Sequence, residues 1–415
     1  MSSQHRSEAA PMDDPEPLLA TEPGPSERGF CAPDPVPEPL TVGIEEELLL
    51  IDPAGRTPSP HGPELVEAAA DALGDRVSTE LTRYQVELRT DPHSCLKEAD
   101  DQIRTSRRTV ARAAARLGLR IASTGTPVHG QTVPVPMTPG ARYARSTAHF
   151  RALDDEQLVC ACHVHVGLPD PRDAVHVSNH LRPWLPTLTA LTANSPFWAG
   201  RDTGYASWRT TTWGRWPVAG PPPYFESPAH FDDLVHTLLE AEGLIDRGGL
   251  YWDVRPSHHL PTIEIRVADA ALTPDDTLVL GAVVRALTAT ALAAVRAGEA
   301  APRPSPEILR AACWRAARDG LPGRGIDPLT GQLLPQTSLV ERLLHTIAPA
   351  LRRHDDLDLV REQWRRLRTE GNGADRQRAA HRRRRSADDV VDFVIAATCP
   401  QEGGTAPSPD HPLGT

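Results

Sequence analysis

A chain of 415 residues, 39% of them apolar, is long enough for one large domain or two ordinary ones and can bury a core. Its net charge of −11 gives it no affinity for polyanions as a whole. Lys97 is the only lysine, which excludes a GxxxxGK[ST] phosphate loop and all but excludes a Schiff-base lysine, so any phosphate chemistry must rest on arginine and metal.

Residues 1–39 hold nine prolines and eight acidic residues and contain no apolar segment of the signal-peptide kind. Such a stretch buries too little to offset its ordering entropy and is expected to be a disordered extension. The body spans 40–398 as a single domain, and 399–415 reads as a second disordered tail. Helical periodicity is present over 63–73, 94–117, 173–193, 229–242, 274–297, 305–318 and 339–351, with a further helix near 356–368 and a last one opening at the N-cap Ser386. Strand-like runs cover 41–51, 84–90, 119–123, 158–168, 251–255 and 262–268. Strands and helices mix without strict alternation, which predicts an α+β fold. No apolar run reads as long enough to span a bilayer, the six cysteines are scattered, and the basic run from His381 to Arg385 is a short exposed stretch. A cytoplasmic protein with reduced thiols, no membrane and no nucleic-acid partner is expected.

Four strands share one unusual pattern. Side chains alternate faces along a strand, so Gly43, Glu45 and Glu47 lie opposite Val42, Ile44 and Leu48, with Glu46 as a misfit among the apolar residues. Gln85, Glu87 and Arg89 oppose Val86 and Leu88. His163 and His165 share a face with Ala161 and Gly167, away from Cys160 and Cys162. Glu264 and Arg266 oppose Ile263, Ile265 and Val267, and Asp253 and Arg255 repeat the design. A merely solvated face would carry Thr, Ser, Lys and Gln as well. Carboxylates gathered on otherwise apolar strands repel each other unless a cation lies among them, and oxygen donors suit Mg²⁺ or Mn²⁺. Arginine two residues from such a glutamate is placed to meet a phosphate. The rival reading is a metal-dependent hydrolase built on the His163-x-His165 pair. Strand parity denies it the two cysteines, and no His-Glu-x-x-His is present.

The segments Gly43-Ile44-Glu45-Glu46-Glu47, Gln85–Thr90, His163–Gly167, Asn194–Trp198, Asp202–Ser207 and Thr262–Asp269, in this order, resemble the carboxylate–amine ligases of the type-2 glutamate–cysteine ligase family over roughly 40–370. The resemblance implies a glutamine-synthetase-like fold, a curved, mostly antiparallel sheet whose concave face binds ATP and Mg²⁺ (or Mn²⁺), backed by helices. By the same resemblance Glu45, Glu47, Glu87, His163 and Glu264 match metal-ligand positions, and Arg266, with Glu264, is catalytic at the nucleotide phosphates. Arg209 and Trp213 stand as nucleotide- or substrate-binding candidates, and His165 and Arg89 as substrate contacts. The implied reaction joins a small-molecule carboxylate, in the simplest case the γ-carboxylate of glutamate, to cysteine or another amine through an acyl phosphate. A homodimer is left open. A catalytically silent nucleotide-binding relative is the remaining alternative, although none of the metal carboxylates is missing. Two departures stand out: Ala161 replaces a glycine, and Gly125-Thr126-Pro127-Val128-His129 differs from the Gly-Thr-His-Pro order of the family.

The reading of the extension has a direct test. Deleting residues 1–38 is expected to change neither Tm nor turnover, and a drop of several degrees in the truncated protein would show that the segment packs on the body.

Overall fold

The computed structural model describes residues 39–400; the extension and the tail read from the sequence lie outside the described residues, apart from Pro39, Cys399 and Pro400. Eight strands form the main sheet: β1 (Val42–Asp52), β2 (Thr57–Pro58), β3 (Val77–Thr79), β4 (Gln85–Arg89), β5 (Arg120–Ala122), β6 (Ala161–Gly167), β7 (Val254–Pro256) and β8 (Thr262–Asp269). Their order is β7-β8-β6-β1-β4-β3, with β2 and β5 joined to the C-terminal part of β1, and every pairing is antiparallel.

The expected alternation decides which face is covered. Val42 and Ile44 of β1, Val164 and Val166 of β6, and Ile263 and Ile265 of β8 are buried in one apolar cluster behind the sheet. Helix α1 (Gly62–Leu73) packs with the C-terminal half of α2 (Leu96–Arg116) in a smaller cluster. The main cluster is completed by the N-terminal half of α2 and by α3 (Asp173–Leu181), α4 (Leu185–Thr192), α5 (Pro274–Arg296), α6 (Pro306–Asp319), α7 (Gln336–Arg353) and α8 (Leu357–Glu370). Helix α5 starts at a capping box between Thr273 and Asp276 and comes so near β1 that a Cβ at Gly281 would stand 3.1 Å from Ile44 Cδ1. Helices α9 (Gly373–Arg384) and α10 (Ala387–Thr398) close the chain.

Several expectations need correction. Helix α5 is, by length and composition alone, apolar enough to cross a membrane, contrary to the reading that no run is; here most of it is buried in the core, and its Arg285 is held by Asp356 at 2.5 Å. The helix expected over 173–193 breaks at Arg182-Pro183-Trp184, where proline interrupts the hydrogen-bond ladder and a 3-10 turn follows. The strand expected over 251–255 is interrupted at Asp253, whose N–H donates to Gly220 O at 2.9 Å. The basic run is exposed over 382–385, as expected, and forms the end of α9 and the turn after it, with Arg384 paired to Asp389. The helix over 141–150 escaped sequence reading because it has no side-chain N-cap and buries only Ser146 and Phe150.

Glu46, the misfit, points backward into the core and meets Arg107 of α2 through two hydrogen bonds of 3.0 and 2.6 Å. Thr277 of α5 donates to the same carboxylate at 2.5 Å. The remaining Arg107 donors go to the carbonyls of Ala271, Leu272 and Thr398, so one guanidinium ties β1, α2, α5 and α10 together. Arg107→Met leaves a buried, unpaired carboxylate and is expected to cost about 3–5 kcal/mol in urea denaturation, with Glu46→Met added to it recovering part of the loss. A single variant as stable as wild type would show that the pair carries no weight.

Candidate active site

The open face of the sheet floors a cleft of about 790 Å³, and every site residue singled out in the sequence lines it. The register explains the convergence. Glu45 lies between Arg89 and His163 on the neighbouring strands, Glu47 opposite Glu87, and His165 between Gly43 and Glu264. The expected metal ligands fall into two groups. Glu45, His163 and Glu264 offer ligand atoms within 4.8 Å of one another, and so do Glu47, Glu87 and Glu80.

Glu80 was missed by sequence reading. It follows β3, which pairs with β4 so that Ser78 lies opposite Glu87, and it carries no i, i+2 signature of its own. Its carboxylate accepts from Leu81 N. Arg142 and Tyr143, from the unforeseen helix over 141–150, and Asp246, Tyr251 and Arg255 complete the walls. Arg255 alone among these had a signal, its place in the alternating pattern of its strand.

The two groups differ electrostatically. Burial opposes charge on Glu45, but hydrogen bonds with His163 and His165 override it and hold this carboxyl well below its usual range. Burial likewise opposes charge on Glu264, and Arg266 and Arg255 override it. In the other group the compensation from Arg209 and the Ala161 N–H on Glu47, and from Arg89 on Glu87, is too small to offset burial. Burial and then Glu80 push Glu47 up to about 8, and Glu87 is driven well above the carboxylate range by burial and by Glu45, Glu80 and Glu47. Three mutually repelling carboxylates beside an anionic neighbour are the arrangement a divalent cation relieves. Burial and then Arg266 bring His163 down to about 4, so its ring is neutral at pH 7, and its Nε2 is buried without a partner. Neutral imidazole nitrogen and carboxylate oxygens form a donor set that fits Mg²⁺ or Mn²⁺.

His165 bonds Thr262 through Nδ1 at 2.9 Å and turns its buried Nε2 to Glu45, 3.5 Å away. Arg266 pairs with Glu264, and its Nε has no partner. Arg89, at the rim, reaches Glu87 at 3.3 Å. Arg209 sits in the wall and donates to Arg266 O at 3.0 Å, so it fixes the backbone that carries Arg266. Trp213 packs edge-on against Tyr251, with ring centroids 4.8 Å apart. Ala161 keeps its methyl in the cleft and gives its N–H to Glu47 at 2.8 Å. His129 lies away from the cleft, 2.7 Å from Asp388. Cys162 is buried behind the sheet, as parity requires; Cys160, which precedes β6, departs from that expectation, packing with Leu49 and Ile51 and accepting from Gln85 Nε2 at 3.3 Å. Neither cysteine belongs to the acidic groups, so the hydrolase reading gains no sulfur ligand from them.

A bulge in β8 refines the pattern. Ile265 pairs with Val164 and Ala268 with Cys162, so one extra residue lies between them. Val267 and Ala268 both enter the core, and Asp269 returns to the level of Ala161. There it accepts from Asn194 N and Ser195 Oγ, each at 2.7 Å, and from Ser207 Oγ at 2.8 Å. Ser207 also caps the short helix that bears Arg209 and Trp213. The segments 194–198 and 202–207 are thus the buttress of the site.

The family model described as glutamate-cysteine ligase family 2 (GCS2) matches residues 41–396. The chain is 45% identical over 373 residues to a Saccharopolyspora erythraea protein named "Putative glutamate--cysteine ligase 2-1", covering 89% of this chain and 97% of that one. It is 47% identical over 361 residues to "Putative glutamate--cysteine ligase 2-2" of Mycobacterium sp. (strain KMS), covering 86% and 98%. Among solved structures it is similar in fold to a Francisella tularensis glutamate–cysteine ligase in complex with AMP, with a TM-score of 0.64 at 14% identity over 88% of this chain and 89% of that one. A bifunctional glutathione synthetase from Pasteurella multocida gives a TM-score of 0.66 at 13% identity, over 87% and 52% of the two chains. With its body matched from end to end and its relatives covered almost entirely, this chain belongs to glutamate–cysteine ligase family 2 and is an ATP-dependent carboxylate–amine ligase.

Proposed function

We propose that the cleft binds ATP and joins the γ-carboxylate of glutamate to the amine of cysteine or of another small amine. The observation that carries this reading is the pair of acidic groups on one sheet face with Arg266 beside them. Glu45, His163 and Glu264 would hold one Mg²⁺ or Mn²⁺, and Glu47, Glu80 and Glu87 another. When bound, such ions supply positive charge against the triphosphate. The names of the relatives support glutamate and cysteine as the substrate pair.

In the proposed reaction an oxygen of the substrate carboxylate attacks the γ-phosphorus, the bond to the β-phosphate oxygen breaks, and ADP leaves. The amine nitrogen then attacks the acyl carbon, expels phosphate and loses a proton. No protein nucleophile is needed; the chain positions the reactants and offsets charge. Arg266 lines the cleft, has an unpartnered Nε, and meets the phosphoryl group as charge develops on it. Before the nucleotide binds, Glu264 holds Arg266 in place. Arg209 supports Arg266 from behind through the main chain. Trp213 and Tyr251 give one wall an apolar surface that keeps water from the acyl phosphate. His165 and Arg89 face the substrate from the sheet and the rim.

Glu87→Gln and Glu80→Gln are each expected to lower turnover by about 100-fold or more, the scale of a lost transition-state contact, while the metal-free protein melts no lower than wild type because one repelling charge is gone. Added Mg²⁺ should raise the Tm of wild type more than that of either variant. Near-normal activity of Glu87→Gln at low Mg²⁺ would remove it from the metal site.

Arg266→Lys keeps the charge and loses the fork; kcat should fall on the order of 100-fold, with a smaller change in nucleotide affinity. The assay is steady-state phosphate release at saturating Mg-ATP, amino acid and amine. If wild type showed no amine-stimulated, ATP-dependent phosphate release across a broad panel, the proposed substrates would be wrong.

A further inference from the structure

Glu264 is held by two arginines of different character. Arg255 is buried and uses all its sides: Nε and Nη2 donate to the two Glu264 oxygens at 2.7 and 3.2 Å, and Nη1 donates to the carbonyls of Gly248 and Leu250 at 3.0 and 2.6 Å. Those carbonyls belong to a 3-10 turn over Arg247–Gly249 and to Leu250 just after it; Asp246 caps the turn, accepting from Gly249 N at 3.1 Å. Arg266 reaches Glu264 through Nη1 alone, and its Nε is buried without a partner. One guanidinium is tethered at four points and the other at one.

We infer that Arg255 is a positioning residue that keeps Glu264 paired and in place while Arg266 exchanges the carboxylate for a phosphate of the nucleotide. Were Arg266 the sole arginine on Glu264, its departure would leave the buried carboxylate with no hydrogen bond to fix its orientation and its charge resting on the proposed cation alone, and the exchange would be opposed. With Arg255 fixed to the turn at 247–249, the carboxylate keeps a bidentate partner and Arg266 is free to leave. This inference rests on the proposed nucleotide site, and it assigns to Arg255 a part exercised through Arg266, without contact with the reacting atoms.

The test is a double-mutant cycle on binding of a non-hydrolysable ATP analogue with Mg²⁺, read by calorimetry, in wild type, Arg255→Met, Arg266→Met and the double variant, with kcat measured alongside. Arg255→Met should weaken binding on the order of 10-fold, the scale of one charge-assisted hydrogen bond. The double variant should bind no more weakly than Arg266→Met. Arg255→Lys, which keeps a cation beside Glu264, should restore part of the loss, and it replaces Arg255→Met in the cycle if that protein does not fold. Losses that multiply, or wild-type affinity in the Arg255 variant, would overturn the inference. A wild type that binds the analogue and ligates nothing would overturn the proposed reaction and leave the cycle readable; one that binds no nucleotide would overturn both.

Discussion

The buried pair between Glu46 and Arg107 decides which way β1 faces. Three glutamates run consecutively in that strand, and a strand can present only alternate residues to one side. Arg107 offers a single backward carboxylate a bidentate partner, with Thr277 completing the shell. A slip of one residue would send Glu45 and Glu47 into the core against one arginine and leave one charge unpaired, a heavy penalty at low dielectric. The register of β1 thereby sets the partners of β4 and β6, and with them the whole open face. Because Arg107 also binds carbonyls beside α5 and α10, the same guanidinium couples the site strand to the helices behind it.

The open face is built from opposed solutions to one problem. In one half, imidazoles and arginines stand against Glu45 and Glu264 and hold both carboxylates ionised. In the other half, Glu47, Glu80 and Glu87 face one another with little compensation and are pushed toward the neutral form. A site assembled for stability alone would not leave three buried carboxylates together. The strain is localised where a divalent cation and a polyphosphate would meet, which ties the energetics of the sheet to the chemistry of the family.

Behind the face, a chain of buried polar contacts keeps Arg266 in position. The β8 bulge swings Asp269 to the front, Asp269 gathers Asn194, Ser195 and Ser207, and Ser207 caps the helix that presents Arg209 to the Arg266 carbonyl. Residues 57 to 75 positions apart in sequence are therefore parts of one support. Buried Asp269 accepts three hydrogen bonds, so its burial is compensated, and the loop it holds has no freedom to drift.

Period-two alternation on apolar strands was legible in the sequence, and it placed Glu45, Glu47, Glu87, His163, His165, Glu264 and Arg266 on one face because parity in a strand is a local property of the backbone. The long amphipathic helices were legible for the same reason, their period being local too. Glu80, Arg142, Tyr143 and Asp246 were not, since each lies on a loop, a strand end or a weakly patterned helix and reaches the cleft only through packing between distant segments. The division of the carboxylates into two groups, the backward turn of Glu46 and the bulge that redirects Asp269 depend on cross-strand register and on partners as far away as Arg107, Thr277 and Asn194. The sequence alone determined which side chains share a face; tertiary structure decided which of them meet, because a strand's parity is set within the strand and its neighbours are set by the register of the sheet.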